Sequence, residues 1–397
     1  MYKKLAVYIH IPFCVKKCAY CDFNSAPPHG NEVPEYINAL IKEIGFRSIL
    51  AKEHVVNTVF IGGGTPSYID ASFISRILEA LRHSFEAVRP GSYKPVEVTI
   101  ECNPGTVDEE RFVLYKNAGV NRISLGLQSA DEEELKLLGR IHTYEEWLEA
   151  VNMARKAGFS NINTDLISGI PGQTVDSFKN TLDKVINTGI EHISVYSLII
   201  EEGTGLYDIY GPELMSEDQQ DIIDENDRHI YMFTEKELVE YGYNRYEISN
   251  FSKAGFECRH NIVYWKRGNY IGFGLGASSL IDDVRFSNEA ELNKYITEYN
   301  ALIGDASSDN YMSGIEHDVE VLDINEQMSE YMILGLRMNE GISEEEFRAY
   351  FGRDIYDVYG DVINSWLLKG GLITEDGRVR CTGYGFDICN QIFSDFI

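Results

Sequence analysis

The 397-residue chain is poor in positive charge: 35 Lys and Arg stand against 63 Asp and Glu, a formal net charge of −28. Broad contact with nucleic acid or an anionic membrane needs a local excess of Lys and Arg, so neither is expected as a general partner. Long hydrophobic runs are missing too, and no stretch approaches the roughly 18 apolar residues of a membrane span. The opening "MYKKLAVYIHIPFC" has neither the apolar length nor the small-residue cleavage site of a secretory signal. A cytoplasmic protein is therefore expected. Cysteine is scarce: Cys14, Cys18, Cys21, Cys102, Cys258, Cys381 and Cys389 are the whole set. A chain of this length buries a sizeable core without covalent staples, which excludes a disulfide scaffold. In a reducing compartment, clustered thiols bind metal more often than they pair.

Three of the seven lie in "HIPFCVKKCAYCDF", residues 10 to 23. Thiolates at i, i+4 and i+7 on a loop leaving a strand can converge on one soft metal centre. Three ligands do not close a tetrahedral zinc site. His10 is available as a fourth, but it lies on the strand with Pro12 between it and Cys14. A [4Fe-4S] cluster takes four cysteines, so three leave one iron open to an exchangeable ligand.

The first two hundred residues repeat one plan. Apolar, β-branched runs at 5–11, 56–62, 96–102, 121–127, 162–170 and 192–200 alternate with helix-period segments such as "ASFISRILEALRHSF" and "YEEWLEAVNMARKAG". Strand alternating with helix implies parallel βαβ connections, in a doubly wound sheet or a partial barrel. The barrel is favoured because unusual residues collect where each strand ends: the cysteine loop, "GGGTPS" (62–67), "ECNPG" (101–105), "LQSA" (127–130), "TDLISGIPGQ" (164–173) and "SLIIEEGT" (197–204). A (β/α) barrel builds its site from several strand ends, whereas a doubly wound sheet concentrates it at one switch point. The fold class predicted is α/β, a partial (β/α)6 barrel with a smaller C-terminal domain.

Two acidic stretches, 215–227 and 318–327, read as a solvated helix face and a polar linker. After the second, the order helix, turn, helix, helix, a β-hairpin around "EDGR" and a last helix is α/β and winged-helix-like. From residue 327 onward six Lys and Arg face twelve Asp and Glu, which speaks against DNA and for a packing or lid domain over the barrel mouth.

The C-x3-C-x2-C spacing, with Tyr20 before the last cysteine, resembles the signature of radical S-adenosylmethionine (SAM) proteins. That resemblance implies a full or partial (β/α) barrel and a [4Fe-4S] cluster held by Cys14, Cys18 and Cys21. SAM then chelates the open iron, and an electron from the cluster cleaves its sulfonium, so an electron donor is an implied partner. "GGGTP" resembles the family segment that meets the SAM amino group, which assigns Gly63, Gly64 and Thr65 to SAM. Glu101 at the third strand end is implied as an acceptor for SAM. Gln128, Arg140 and Asp165 match positions that contact SAM or its surroundings in the oxygen-independent coproporphyrinogen oxidase group. Tyr8 and Tyr20 match aromatic residues near SAM and the cluster. Taken without the resemblance, Arg140 is equally a helix-end ion pair, and either tyrosine a core aromatic.

The block "YEISNFSKAGFECRHNIVYWKRGNYIGFGLGASS" (246–279) is similar to the haem-chaperone branch of the same family. Its H-N-x-x-Y-W element stands here as His260, Asn261, Tyr264 and Trp265, and the resemblance implies haem binding there and transfer to an unidentified acceptor protein. Histidine is a common axial ligand of haem iron, Tyr and Trp offer flat faces, and Arg259, Lys266 and Arg267 are placed to meet propionates. On residue chemistry alone, His260 is a satisfied loop histidine and Cys258 an inert buried thiol. The oxidase carries a further cysteine where this chain has Phe23, and a longer segment before the cluster loop. Both departures point to a haem chaperone, with a tetrapyrrole-oxidising enzyme as the alternative, and no residue is assigned as catalytic. The predicted division is a radical SAM partial barrel over 1–210, an extension with the haem motif over 211–325, and the winged-helix-like domain over 326–397.

Overall fold

The structure, a computed structural model, describes residues 2–211, 216–302 and 316–397. Six parallel strands form its centre: β1 (Lys3–Ile11), β2 (His54–Gly63), β3 (Tyr93–Cys102), β4 (Arg122–Gln128), β5 (Ile162–Ser168) and β6 (His192–Ser197), each paired in register with the next. Between them run α1 (Glu32–Arg47), α2 (Ala71–Val88), α3 (Glu109–Ala118), α4 (Glu132–Leu137), α5 (Tyr144–Lys156) and α6 (Val175–Ile186). Five of these helices, α2 to α6, begin where polar side chains satisfy free backbone N–H groups. Asp70 accepts from the Ser72 amide, and Thr143 and Glu146 form a reciprocal capping box.

Strand alternation separates two chemistries. On β3, Val98, Ile100 and Cys102 join the apolar core beneath the helices, as Ile123, Leu125 and Leu127 do on β4. The opposite face carries Glu97, Thr99 and Glu101 on β3 and Arg122 and Ser124 on β4, as a two-residue period requires. The concave side of the sheet is therefore polar, unlike the branched apolar layers that usually fill a (β/α) barrel.

The chain continues through α7 (Tyr207–Tyr210), α8 (Glu217–Glu240), β7 (Asn244–Glu247), β8 (Asn250–Ser252), α9 (Arg259–Trp265), β9 (Tyr270–Phe273), β10 (Ser278–Ile281), β11 (Val284–Ser287), α10 (Leu292–Ala301) and β12 (His317–Val321). All twelve strands share one sheet, ordered β12-β11-β10-β9-β1-β2-β3-β4-β5-β6-β8-β7. The barrel is thus open, and β9 extends it by pairing parallel with β1 while β8 pairs antiparallel with β6. The acidic run 318–327, expected as a linker, is instead the edge strand β12 and the start of a helix. Pairing with β11 uses main-chain groups, so exposed Val319 and Val321 alternating with acids suffice. Asp323 then caps the helix in a capping box with Glu326. Within the other acidic run Met215 lies outside the described residues, and Asp221, Asp224 and Glu225 lie exposed on α8.

The C-terminal unit has its own core, built around Met328, Met332, Phe347, Ile363, Trp366 and Phe393. It comprises α11 (Ile324–Gly335), β13 (Ile342–Ser343), α12 (Glu344–Phe351), α13 (Ile355–Leu368), the hairpin β14 (Leu372–Glu375) and β15 (Arg378–Cys381), α14 (Gly383–Asp387) and α15 (Cys389–Ser394), with a three-stranded sheet β13-β15-β14. Among the described residues no helix is long and apolar enough to cross a membrane.

Candidate functional site

The ends of the parallel strands surround one cavity of about 470 Å3. The loop after β1 brings Cys14, Cys18, Tyr20 and Cys21 to its wall, and the turn after β2 brings Gly63, Gly64 and Thr65. Glu101, Gln128, Arg140 and Asp165 complete the predicted set around the same space. Loop contacts fix the cysteines: the Cys14 amide donates to the Ala26 carbonyl at 3.2 Å, Ala19 to Leu138 at 2.9 Å, and Leu206 to Ala19 at 2.7 Å. All three are free thiols. Their sulfurs do not gather within 4.8 Å of one another. A single tetrahedral zinc with Zn–S near 2.3 Å would draw its sulfurs to about 3.8 Å apart, so the three thiols are not arranged for one zinc ion.

His10 is not a fourth ligand. Its Nε2 donates to the Asn24 carbonyl at 3.1 Å, which leaves Nδ1 to accept from the Tyr8 hydroxyl at 3.0 Å. The pair pins the returning cysteine loop to β1. Tyr8 is consequently set apart from the other expected SAM residues: its hydroxyl is used on His10, and it does not line the cavity.

Two glycines are required by geometry. Gly63 has φ +115°, and a Cβ there would stand 2.7 Å from the His10 ring, which the two bonds above hold in place. A Cβ on Gly64 would meet Cys14 Sγ and the Phe13 carbonyl oxygen at 2.9 Å each. Gln128, with φ 72°, turns the chain off β4 in a conformation that side chains rarely adopt away from a functional constraint.

Charge is arranged across the cavity. Arg140 donates to the Gly126 carbonyl at 2.8 Å and points Nη1 at Cys18 Sγ, 3.4 Å away, while its buried Nε has no partner. No carboxylate lies within 4.0 Å of it among the described residues, so the helix-end ion pair is not what forms. Glu101 accepts from the Gly63 amide at 3.1 Å, and its carboxyl is pushed up to about 8 by burial and by Asp165. Asp165 is itself raised by burial, against hydrogen bonds from Asn163 and Ser124. Burial also pushes the Cys21 thiol up. Three thiols, an adjacent guanidinium with an unpaired N–H and two carboxyls fit an iron–sulfur centre together with a ligand bearing both a cation and a carboxylate. Ser124 and Tyr196, also lining the cavity, were missed by motif reading, although period-two alternation from Asp165 and Ser194 points to them.

The H-N-x-x-Y-W residues are elsewhere. They form α9, which crosses the concave side of the sheet against the middle of β2 and β3, at Thr58, Phe60 and Glu97. Its contact Glu97 precedes Glu101 by four residues on β3, about 13 Å. His260 is 1% exposed; Nδ1 meets Thr58 Oγ1 and Nε2 meets Tyr264 Oη, both at 3.0 Å, and the ring stacks on Phe60. Burial, with Arg122 nearby, pulls its pKa down to about 3. In this arrangement neither nitrogen is open to an iron, so the residue-level reading of a satisfied histidine describes it. Arg267 likewise is not free for propionates, because it is 1% exposed at its side chain and paired with Asp283 at 2.7 Å and Glu330 at 3.0 Å. Arg259 and Lys266 are exposed. Cys258 is fully buried and its thiol is pushed up to about 12.

The C-terminal domain does not cover the cavity mouth. Among the described residues none beyond Glu201 lines the cavity, and the domain instead meets α9, β7 and the β10–β11 hairpin through Glu330–Arg267, Glu330–Arg285 and the Asn339 amide on the Tyr246 carbonyl. The expectation of a lid fails because Ile248, Arg245 and α9 offer the domain its packing surface at the other end.

A cysteine-rich cavity at the ends of six parallel strands defines a radical SAM protein, and residues 8–185 match the Radical SAM superfamily. Residues 322–388 match the HemN C-terminal domain. The chain is 32% identical to the "Heme chaperone HemW" of Bacillus subtilis, covering 99% of both chains, and 37% identical to that of Escherichia coli over 94% and 95%. It is 31% identical to the mouse "Radical S-adenosyl methionine domain-containing protein 1, mitochondrial", covering 98% of this chain and 86% of that one. It belongs to the HemW family. Coproporphyrinogen III oxidase (HemN) from E. coli has the same fold, with TM-score 0.81 at 23% identity over 100% of this chain and 90% of that one.

Proposed function

We propose that this protein is a cytoplasmic haem chaperone that holds a [4Fe-4S] cluster, binds SAM and haem, and passes haem to an acceptor protein. The observation that carries the reading is similarity to HemW haem chaperones along the whole chain, the C-terminal domain included. Cys14, Cys18 and Cys21 would hold the cluster, which when bound supplies an electron to SAM from an external donor. Gly63, Gly64, Thr65, Glu101, Gln128, Arg140 and Asp165 would hold SAM, with the carboxyls on the side of its cationic groups. Phe23 stands exposed at the cavity edge, where the oxidase resemblance calls for another cysteine.

The test is anaerobic reconstitution followed by two incubations. Haem-loaded protein should lose its Soret band to an added apo-haemoprotein, and Cys18→Ala should lose most of its iron. With SAM, reductant and coproporphyrinogen III, no protoporphyrinogen should form. Turnover to protoporphyrinogen, or failure to bind haem, would overturn the reading.

A further inference from the structure

Resting on the haem-binding reading above, we propose that the tetrapyrrole lies in a slot between the end of α9 and the C-terminal domain, with His260 as the anchor of the slot wall and not the ligand in this arrangement. The slot measures about 400 Å3, within the roughly 300–1,000 Å3 of small-molecule sites. Of the four motif residues, Trp265 is the one that lines it; His260 and Tyr264 bond each other inside the sheet.

Its walls suit a flat aromatic ligand. Trp265 contributes an indole, held by Arg337 5.4 Å from its centroid. Tyr331 of α11 and Tyr350 of α12 face the same space, their rings 6.0 Å apart and tilted by 32°. Offset ring contacts of this kind contribute about 0.5–1.5 kcal/mol each beyond area burial. Ala349 keeps the α12 wall thin, so a planar ring can approach the backbone there. Met338 adds a polarisable sulfur.

The polar rim favours carboxylate substituents on one side. Lys266 and Arg378 both reach the exposed Glu340 carboxylate, at 2.7 Å and 3.6 Å, and Arg378 is also held by the Glu340 and Gly341 carbonyls, so ligand propionates can displace Glu340 from Lys266 while Arg378 stays in place. Glu346 is the other carboxylate of the lining and disfavours propionates near α12. Two other cavities lack this combination: a helix-surface groove along α2 lined by Arg76, Glu79, Arg82 and Glu86, and the cysteine cavity. A slot with a solvent-facing edge also leaves the cargo accessible to an acceptor.

The experiment titrates ferric haem into full-length, cluster-reconstituted protein and follows the Soret band together with tryptophan quenching. Ala349→Trp fills the slot from an exposed helix position and should raise the haem Kd at least tenfold, with Tyr350→Ala raising it severalfold. Leu368→Trp, on the exposed end of α13, should leave the Kd unchanged, and circular dichroism and iron content should match wild type in all three. If Ala349→Trp and Tyr350→Ala bind haem like wild type, the slot is wrong while the haem reading stands. If wild type binds no haem, the reading it rests on is wrong, and the slot falls with it.

Discussion

Glu97 accepts the backbone N–H of His260 at 3.1 Å through one carboxylate oxygen and that of Arg259 at 3.1 Å through the other. A carboxylate on β3 thereby caps a helix 163 positions away in sequence, and the Cys258 thiol adds a longer contact of 3.6 Å. A negative charge at a helix N-terminus satisfies orphan donors and complements the dipole.

Removing that cap should loosen α9 selectively. Glu97→Ala leaves buried N–H groups unpaired and is expected to cost about 2–4 kcal/mol, with Glu97→Gln costing less because one acceptor survives. Urea denaturation measures the loss, and hydrogen exchange should accelerate at Arg259 and His260 before it does on β2 and β3.

Gly63→Ala should damage the cysteine cavity and little else. The residue has φ +115° and no room for a Cβ against the bound His10 ring. The strain is about 1–3 kcal/mol, relieved most easily by moving His10 and the loop it pins. Reduced iron per chain after reconstitution, with near-wild-type circular dichroism, is the expected outcome; full iron loading would contradict it.

Two buried groups should give the cofactor-free protein opposing pH dependences. His260 has a folded pKa of about 3 against about 6.5 unfolded, so its contribution is fully present above pH 6.5 and is lost toward pH 3 at up to about 1.4 kcal/mol per unit. His142, also pulled down to about 3 by burial and by Arg140, acts in the same direction. His10, His54 and His192 are lowered too, chiefly by burial, so His260→Gln should remove only its own share of the fall in stability between pH 7 and 5. Glu101 behaves oppositely: with a folded pKa of about 8, its protonated form contributes below about pH 4.3, and that contribution is lost as pH rises to 8. Glu101→Gln should gain on wild type by on the order of 5 kcal/mol across that window, read from denaturation midpoints at each pH.

The predicted cavity residues were legible because they follow strand ends, and strand ends follow from a two-residue apolar period meeting turn residues. Of the eleven that line the cavity, ten needed only that local rule plus a motif, and Arg140, which follows α4 and not a strand, needed the motif alone. Tyr8 does not line the cavity; its hydroxyl meets His10, two residues along the same strand, a local contact that period-two alternation allows. The haem motif was legible as a motif but not as a place. Spacing puts His260 and Tyr264 on one face of a helix and Trp265 beside them, yet nothing local says which face turns toward Thr58 and which toward the C-terminal domain.

The amino-acid sequence by itself determined the alternation of strands and helices, the three thiols on one loop, and the glycines beside them, because each is a short-range matter of period, capping and steric room. The tertiary structure decided that the barrel stays open, that α9 lies across the middle of β2 and β3, and that the C-terminal domain packs against α9 and not over the cavity. Those outcomes depend on buried pairings such as Glu97 with His260 and Arg267 with Glu330, whose partners are distant in the chain and become specific only once water is excluded between them.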